Sequence, residues 1–214
     1  MSTLHRLDDR LLADVNDFAR HTGWLHGVVL GYATYGVVLF AALLAAGLLI
    51  TRTGSDRSLA AAGWACLATL IAVGLNQPLV SAFGEARPYT AHAHLLVLAT
   101  RSSDPSFPSD HAVMAGAVAA GLWLVSRRLG LVAGIAALAM AFARVYIAAH
   151  YPWDVAAGLL LGVLVAVGGW ALLRTPLTTL TGSLRRMPGL RQAFPVPTPA
   201  SVGRTDASRG RDPA

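Results

Sequence analysis

The 214-residue chain has no lysine, one cysteine and few charges of any kind. With Cys66 alone, there is no intrachain disulfide and no cysteine-based metal site. A lone cysteine inside an apolar run reads as a small packing residue. Without lysine, every fixed cation is an arginine. Charged residues make up 13% of the chain, against about a quarter in soluble globular domains, while 55% is hydrophobic. That shortfall excludes an ordinary soluble domain if the apolar residues come in long runs. A signal peptide is not expected, because no apolar stretch follows a basic start.

The apolar residues do come in runs, at about 26–50, 58–80, 111–126, 129–149 and 153–173. A helix needs roughly 20 such residues to cross a bilayer. The expected fold class is therefore all-α, a polytopic membrane helix bundle of about five transmembrane helices. The third run is the shortest, and the fourth carries Arg144 near its C-terminal end. A charge at membrane depth is expensive and marks a functional candidate. Residues 90–99 are apolar but too short to span, and read as a re-entrant or interfacial piece.

The chain divides into three parts. In residues 1–25, Leu4, Leu7, Leu11, Leu12, Val15 and Phe18 recur at helical spacing among Asp and Arg. That pattern predicts an amphipathic helix, either lying in the membrane interface or packed on the bundle. Residues 26–173 form the transmembrane domain. Residues 174–214 are rich in Arg, Pro, Gly, Ser and Thr and read as a largely disordered tail, most clearly from Pro195. The small-residue spacings Gly27–Gly31 and Gly158–Gly162 are expected to mark helix packing.

A net charge of +6 invites a nucleic-acid reading, but the positions of the arginines argue against it. Arg52 and Arg57 fall between the first two runs, Arg127 and Arg128 between the third and fourth, and the arginine-rich tail follows the fifth. With five spans these regions share one side, which the positive-inside rule assigns to the cytoplasm. The N-terminus, residues 81–110 and the turn at His150–Pro152 then face outward, in the inner (plasma) membrane. The partners expected are the bilayer and a lipid, not nucleic acid.

Three polar stretches interrupt the apolar chain on that outward side. They are Arg87-Pro88-Tyr89, then Phe107-Pro108-Ser109-Asp110-His111, then Arg144 with His150 and Asp154. Singly, each has an ordinary reading: a snorkelling cation, a helix N-cap, an interfacial histidine. Together they make an anion site with a nucleophile and an acid. Phosphoryl transfer spreads negative charge over equatorial oxygens, which Arg87 and Arg144 can meet with planar guanidinium forks. Ser109 precedes the third run, so its hydroxyl and the N–H groups of that helix start can also reach the phosphate. A neutral His150 can attack phosphorus, with Asp154 holding its far nitrogen, and His111 can protonate the leaving oxygen. This chemistry requires no metal and no cofactor.

These residues resemble the three signatures of the type 2 phosphatidic acid phosphatase superfamily, over roughly residues 26–173. Its pattern is Lys-x6-Arg-Pro, Pro-Ser-Gly-His and Ser-Arg-x5-His-x3-Asp. The form Phe107-Pro108-Ser109-Asp110-His111-Ala112, with His150-Tyr151-Pro152-Trp153-Asp154, is most similar to the bacterial undecaprenyl-diphosphatase branch. The resemblance implies His150 as nucleophile, Asp154 as its partner, and His111 as acid and base. It sets Arg87, Ser109, Asp110 and Arg144 around the phosphate.

Three positions depart from the pattern. The lysine falls at Val80, the serine before the third-motif arginine is Ala143, and the second-motif glycine is Asp110. Arg101 is the candidate replacement for the lysine charge. The implied activity is metal-independent hydrolysis of a lipid phosphate or diphosphate through a phosphohistidine, with polyprenyl diphosphate as first choice. Phosphatidic acid and phosphatidylglycerol phosphate are the alternatives within that activity. A vanadium haloperoxidase shares the constellation but is a larger soluble enzyme. A non-enzymatic anion transporter would more often place its polar groups near the midplane of the bundle.

Overall fold

The apolar runs fold as helices in this computed structural model, which describes residues 3–189 and 194–195; among them there is no strand. Helix α1 (Thr3–His21) leads through a short 3-10 turn into α2 (His26–Thr51) and α3 (Asp56–Phe83). A single-turn α4 (Pro88–Ala91), then α5 (Asp110–Val125), α6 (Arg127–Tyr146) and α7 (Pro152–Arg185) complete the order. The boundaries follow local chemistry. Ser55 caps α3 by accepting from the Ser58 N–H, and α3 ends at Gly84, whose φ of 59° suits glycine. Pro152 occupies the first turn of α7, where its missing N–H costs nothing.

Helices α2, α3, α6 and α7 are long and apolar enough to cross a membrane. Helix α5 has 16 residues, roughly 24 Å at 1.5 Å per residue, which falls short of the ~30 Å hydrocarbon core. The five expected spans are thus four long helices and a shorter fifth, which is the run that was already the shortest in the sequence. Helix α5 needs no lipid-facing length because α3, α6 and α7 enclose it, burying Val113, Ala117, Val118 and Leu122. Large apolar side chains such as Val28, Leu70, Leu138 and Leu172 point outward instead, as a lipid-facing surface requires.

Close approach of α7 to α5 sets the geometry of the site. A Cβ on Gly162 would lie 2.2 Å from the Val113 carbonyl oxygen, and one on Gly158 2.8 Å from that of Ser109. Glycine lets the two backbones touch there. The contact puts Asp154, one turn before Gly158, beside Ser109, whose N–H donates to the Asp154 carbonyl at 3.2 Å. The Gly27–Gly31 pair does not pack in this way, since nothing lies within 4 Å of a Cβ on either residue. That pair sits on the open side of α2, a distinction that spacing by itself cannot make.

Two further expectations sharpen. Of the re-entrant and interfacial readings of residues 90–99, the second fits: after the single turn of α4 they run as a loop across the end of the bundle, with Leu96, Leu98 and Ala99 packed on the Ala143, Tyr146 and Ile147 cluster. The Leu98 and Ala99 N–H groups both donate to the Ile147 carbonyl. The tail expected from residue 174 begins later, because α7 continues to Arg185. Its last turn is held by that buried guanidinium, which donates to the Gly54 and Arg52 carbonyls and to Asp56. Residues 196–214, the part read as most clearly disordered, lie outside the described residues.

Helix α1 lies against the site end of the bundle. Leu12, Asn16 and Ala19 are buried in the contact, while Leu7, Leu11 and Phe18 form an exposed stripe on a neighbouring face. The packed and interfacial readings of this helix are therefore compatible. Asn16 exchanges two hydrogen bonds with the backbone of Leu96, and Arg20 donates to the His94 carbonyl. The Asp8 carboxylate accepts from the Trp153 N–H at the start of α7.

Candidate active site

All three polar stretches meet at this end. The key turn follows α6, where Ala148 adopts a left-handed φ of 58°. For a residue with a Cβ that conformation costs on the order of 1 kcal/mol. It folds the chain back so that the Ala149 and His150 N–H groups both donate to the Arg144 carbonyl, at 3.1 and 3.3 Å. The five-residue gap between arginine and histidine is thus spanned by one tight helix terminus, which directs both side chains to the same point.

His150 is 3% exposed and stands at the centre of the cluster. Its Nε2 is 3.3 Å from Arg87 Nη1 and 3.3 Å from Arg144 Nη2. Guanidinium nitrogens only donate, so Nε2 is the unprotonated acceptor and Nδ1 carries the hydrogen. The Nδ1–H donates to the Ser106 carbonyl at 2.8 Å, and Asp154 Oδ2 lies 3.4 Å away. Arg87 is fixed in turn by donating to the carbonyls of Asp104 and Ala149.

The remaining predicted residues surround this core. Ser109 is fully buried at the N-cap of α5, and its Oγ has no hydrogen-bond partner among the described residues. The Arg144 Nε is likewise unpartnered. Buried donors in that state are available to a ligand oxygen. The first-turn N–H groups of α5 add to them, since a helix start leaves such groups without an intrahelical acceptor. His111, in that first turn, is within electrostatic reach of Arg144, His150, Asp110 and Arg87.

The exposed Asp110 accepts from Asn76 at 2.7 Å and from Gln77 at 2.9 Å, both on α3. Arg101 stands apart from the cluster. Its guanidinium lies over the Tyr89 ring and donates to the Tyr89 carbonyl.

Sequence reasoning missed Ser106, Asn76 and Gln77. Asn76 and Gln77 stand about one turn before Val80, the position of the family lysine, so polar groups do reach the site from α3. An Asn-Gln pair inside a long apolar run was the available signal. Ala143, where the pattern has serine, is buried in apolar contact with α1 and α2, and no hydroxyl is needed there.

Burial, then the Arg144 and Arg87 charges, hold the His150 imidazole well below its ordinary value. His150 therefore stays neutral at physiological pH. The same shift couples folding to pH. Below about pH 6.5 the unfolded chain takes up a proton that folded His150 refuses, so stability falls as pH drops. The loss runs at up to about 1.4 kcal/mol per pH unit and ends where the folded imidazole itself protonates. Thermal unfolding in detergent from pH 7.5 to 5 is expected to show a falling midpoint, with a shallower slope in His150→Gln.

A cavity of about 900 Å³ lies beside the cluster, between α1 and the start of α7. Its walls include Leu7, Leu11, Phe83, Phe107, Tyr151 and Trp153, with Asp8, Asp9 and Glu85 among the polar lining. Phe107 and Tyr151 are chain neighbours of the Pro108-Ser109 and His150 segments, so cavity and cluster share a wall.

Fold and site together define a class: a helical membrane protein with a cluster of histidine and arginine side chains at one end of its bundle. The model of the PAP2 superfamily matches residues 61–176, and the chain belongs to that superfamily of phosphatases. It is 28% identical over 152 residues to undecaprenyl-diphosphatase BcrC of Bacillus subtilis (strain 168), covering 71% of this chain and 76% of that protein. It is 31% identical over 153 residues to the bacitracin transport permease protein BcrC of Bacillus licheniformis, covering 72% and 74%. The crystal structure of Aquifex aeolicus LpxE shares the fold, with a TM-score of 0.62 at 24% identity over 77% of this chain and 95% of that one.

Proposed function

We propose that this phosphatase hydrolyses a lipid phosphate or diphosphate through a phosphohistidine on His150, with polyprenyl diphosphate as the first-choice substrate. The observation that carries the reading is the unprotonated His150 Nε2, set 3.3 Å from each of two guanidinium groups. Phosphate oxygens bound by Arg87, Arg144, Ser109 and the α5 start bring phosphorus in line with that lone pair. Nε2 forms the N–P bond as the P–O bond to the lipid-bearing group breaks, and His111 gives that oxygen a proton. His111 then takes a proton from water as the water oxygen attacks phosphorus and the N–P bond breaks. Asp154 balances the charge on the ring in between. No step calls on a metal ion, and Arg101, bound to the Tyr89 carbonyl and ring, adds only long-range positive charge.

A lipid substrate is supported by the apolar cavity beside the cluster and by the position of the site at one end of a membrane bundle. The choice of a polyprenyl diphosphate draws on the Bacillus subtilis relative and on that of Sulfolobus acidocaldarius, named undecaprenyl-diphosphatase and 33% identical over 94 residues. The distribution of arginines supports an outward-facing site, with Arg52, Arg57, Arg127, Arg128 and Arg186 at the opposite, cytoplasmic end.

The name of the Bacillus licheniformis relative raises transport. A translocation path would need polar groups through the bundle, and at mid-depth the buried Thr69 hydroxyl is already bonded to its own helix. The test is phosphate release by purified protein in detergent with a chelator present. Polyprenyl diphosphate, phosphatidic acid and phosphatidylglycerol phosphate are compared in parallel. Turnover without metal, fastest on the diphosphate, is expected. Absence of turnover on every lipid phosphate would refute the reading.

A further inference from the structure

We infer that Ser106 is a positioning residue for this reaction: its carbonyl fixes the His150 tautomer, and its hydroxyl holds the Asp154 carboxylate in place. The inference rests on the proposed reaction at His150. Ser106 lies outside the residues that carry the family resemblance, yet it is fully buried at the crossing of three segments. Its N–H donates to the Glu85 carbonyl at 2.7 Å, which ties it to the loop that carries Arg87. Its carbonyl accepts from His150 Nδ1 at 2.8 Å, and its hydroxyl donates to Asp154 Oδ2.

The distances divide the work. A hydrogen-bond length of 2.8 Å belongs to the Ser106 carbonyl, whereas Asp154 Oδ2 is 3.4 Å from the same Nδ1. In the resting enzyme the neutral carbonyl therefore sets the tautomer, without the basicity that a directly bonded carboxylate would bring. Asp154 Oδ2 is occupied instead by the Ser106 hydroxyl and by the Tyr151 N–H at 2.9 Å. When Nε2 forms its bond to phosphorus, the ring becomes cationic and keeps its Nδ1–H. A carboxylate already held 3.4 Å away then stabilises the new charge without rearrangement. Removing the hydroxyl leaves the carbonyl in place but takes away one of the two hydrogen bonds that hold Oδ2, leaving only the Tyr151 N–H, so the loss falls on the charged state and not on substrate binding.

The test uses full-length protein in detergent. Ser106→Ala and the near-isosteric Ser106→Cys are expected to lower kcat about 10–100-fold, the range for partners that orient an active group, with KM within about twofold. In an Asp154→Asn background, Ser106→Ala is expected to cost little more, because the hydroxyl acts through the carboxylate. Thermal unfolding identifies which variants are folded, and Ser106→Cys stands in if Ser106→Ala is not. Wild-type kcat in a folded variant, or a loss that adds in full to that of Asp154→Asn, would overturn the inference. Inactive wild-type protein would instead strike at the proposed function.

Discussion

Replacing His150 by alanine is expected to lower kcat by about 10⁴-fold or more, and to abolish any acid-labile phosphate on the protein. Removing a nucleophile removes the covalent route altogether, leaving only the binding and charge stabilisation of Arg87, Arg144 and the α5 start. KM should change much less, because those groups hold the phosphate independently of the imidazole. Rapid-quench experiments with ³²P-labelled substrate provide the check: a burst of labelled enzyme in the wild type and none in His150→Ala. His150→Ala turning over at the wild-type rate would eliminate the nucleophile assignment. A wild-type enzyme that turns over with no labelled intermediate would point to direct attack by water.

The second large effect concerns His111. His111→Asn is expected to reduce kcat about 10³-fold on a polyprenyl diphosphate, within the usual contribution of a general acid. The discriminating observation is dependence on the leaving group. A good leaving group such as p-nitrophenolate needs no proton, so on that phosphate ester the first step should recover most of its rate while phosphoenzyme hydrolysis stays slow. Labelled phosphohistidine should then accumulate in His111→Asn, the opposite of its absence in His150→Ala. An equal deficit on both substrates, with no accumulation, would show that His111 only helps to hold the phosphate.

Much of the site is legible in the sequence because its members are chemically unusual where they stand. Arginine and histidine are costly beside apolar spans, so Arg87, Arg144, His111 and His150 stand out, and their order matches a known pattern. The amide pair on α3 is harder to see. Asn76 and Gln77 carry no charge, and one polar pair in a long apolar helix has many ordinary explanations. Only folding shows that they bind Asp110, and so explain how a carboxylate is held where the family pattern has glycine.

The sequence alone determined that this chain is an all-helical membrane protein, because hydrophobic runs near 20 residues long can satisfy their backbone in lipid only as helices. It also determined which residues carry charge, and that their spacing brings them to one end of the bundle. Tertiary structure decided the rest. It made α5 a short enclosed helix, since neighbours can shield what length need not span. It separated Gly158–Gly162, packed on α5, from Gly27–Gly31, where an added Cβ would meet no described atom within 4 Å. It set a backbone carbonyl nearer to His150 Nδ1 than the Asp154 carboxylate. That last distinction is a matter of 0.6 Å, the difference between 3.4 and 2.8 Å. No motif encodes it, because it depends on how the Ser106 loop settles between Glu85 and the start of α7.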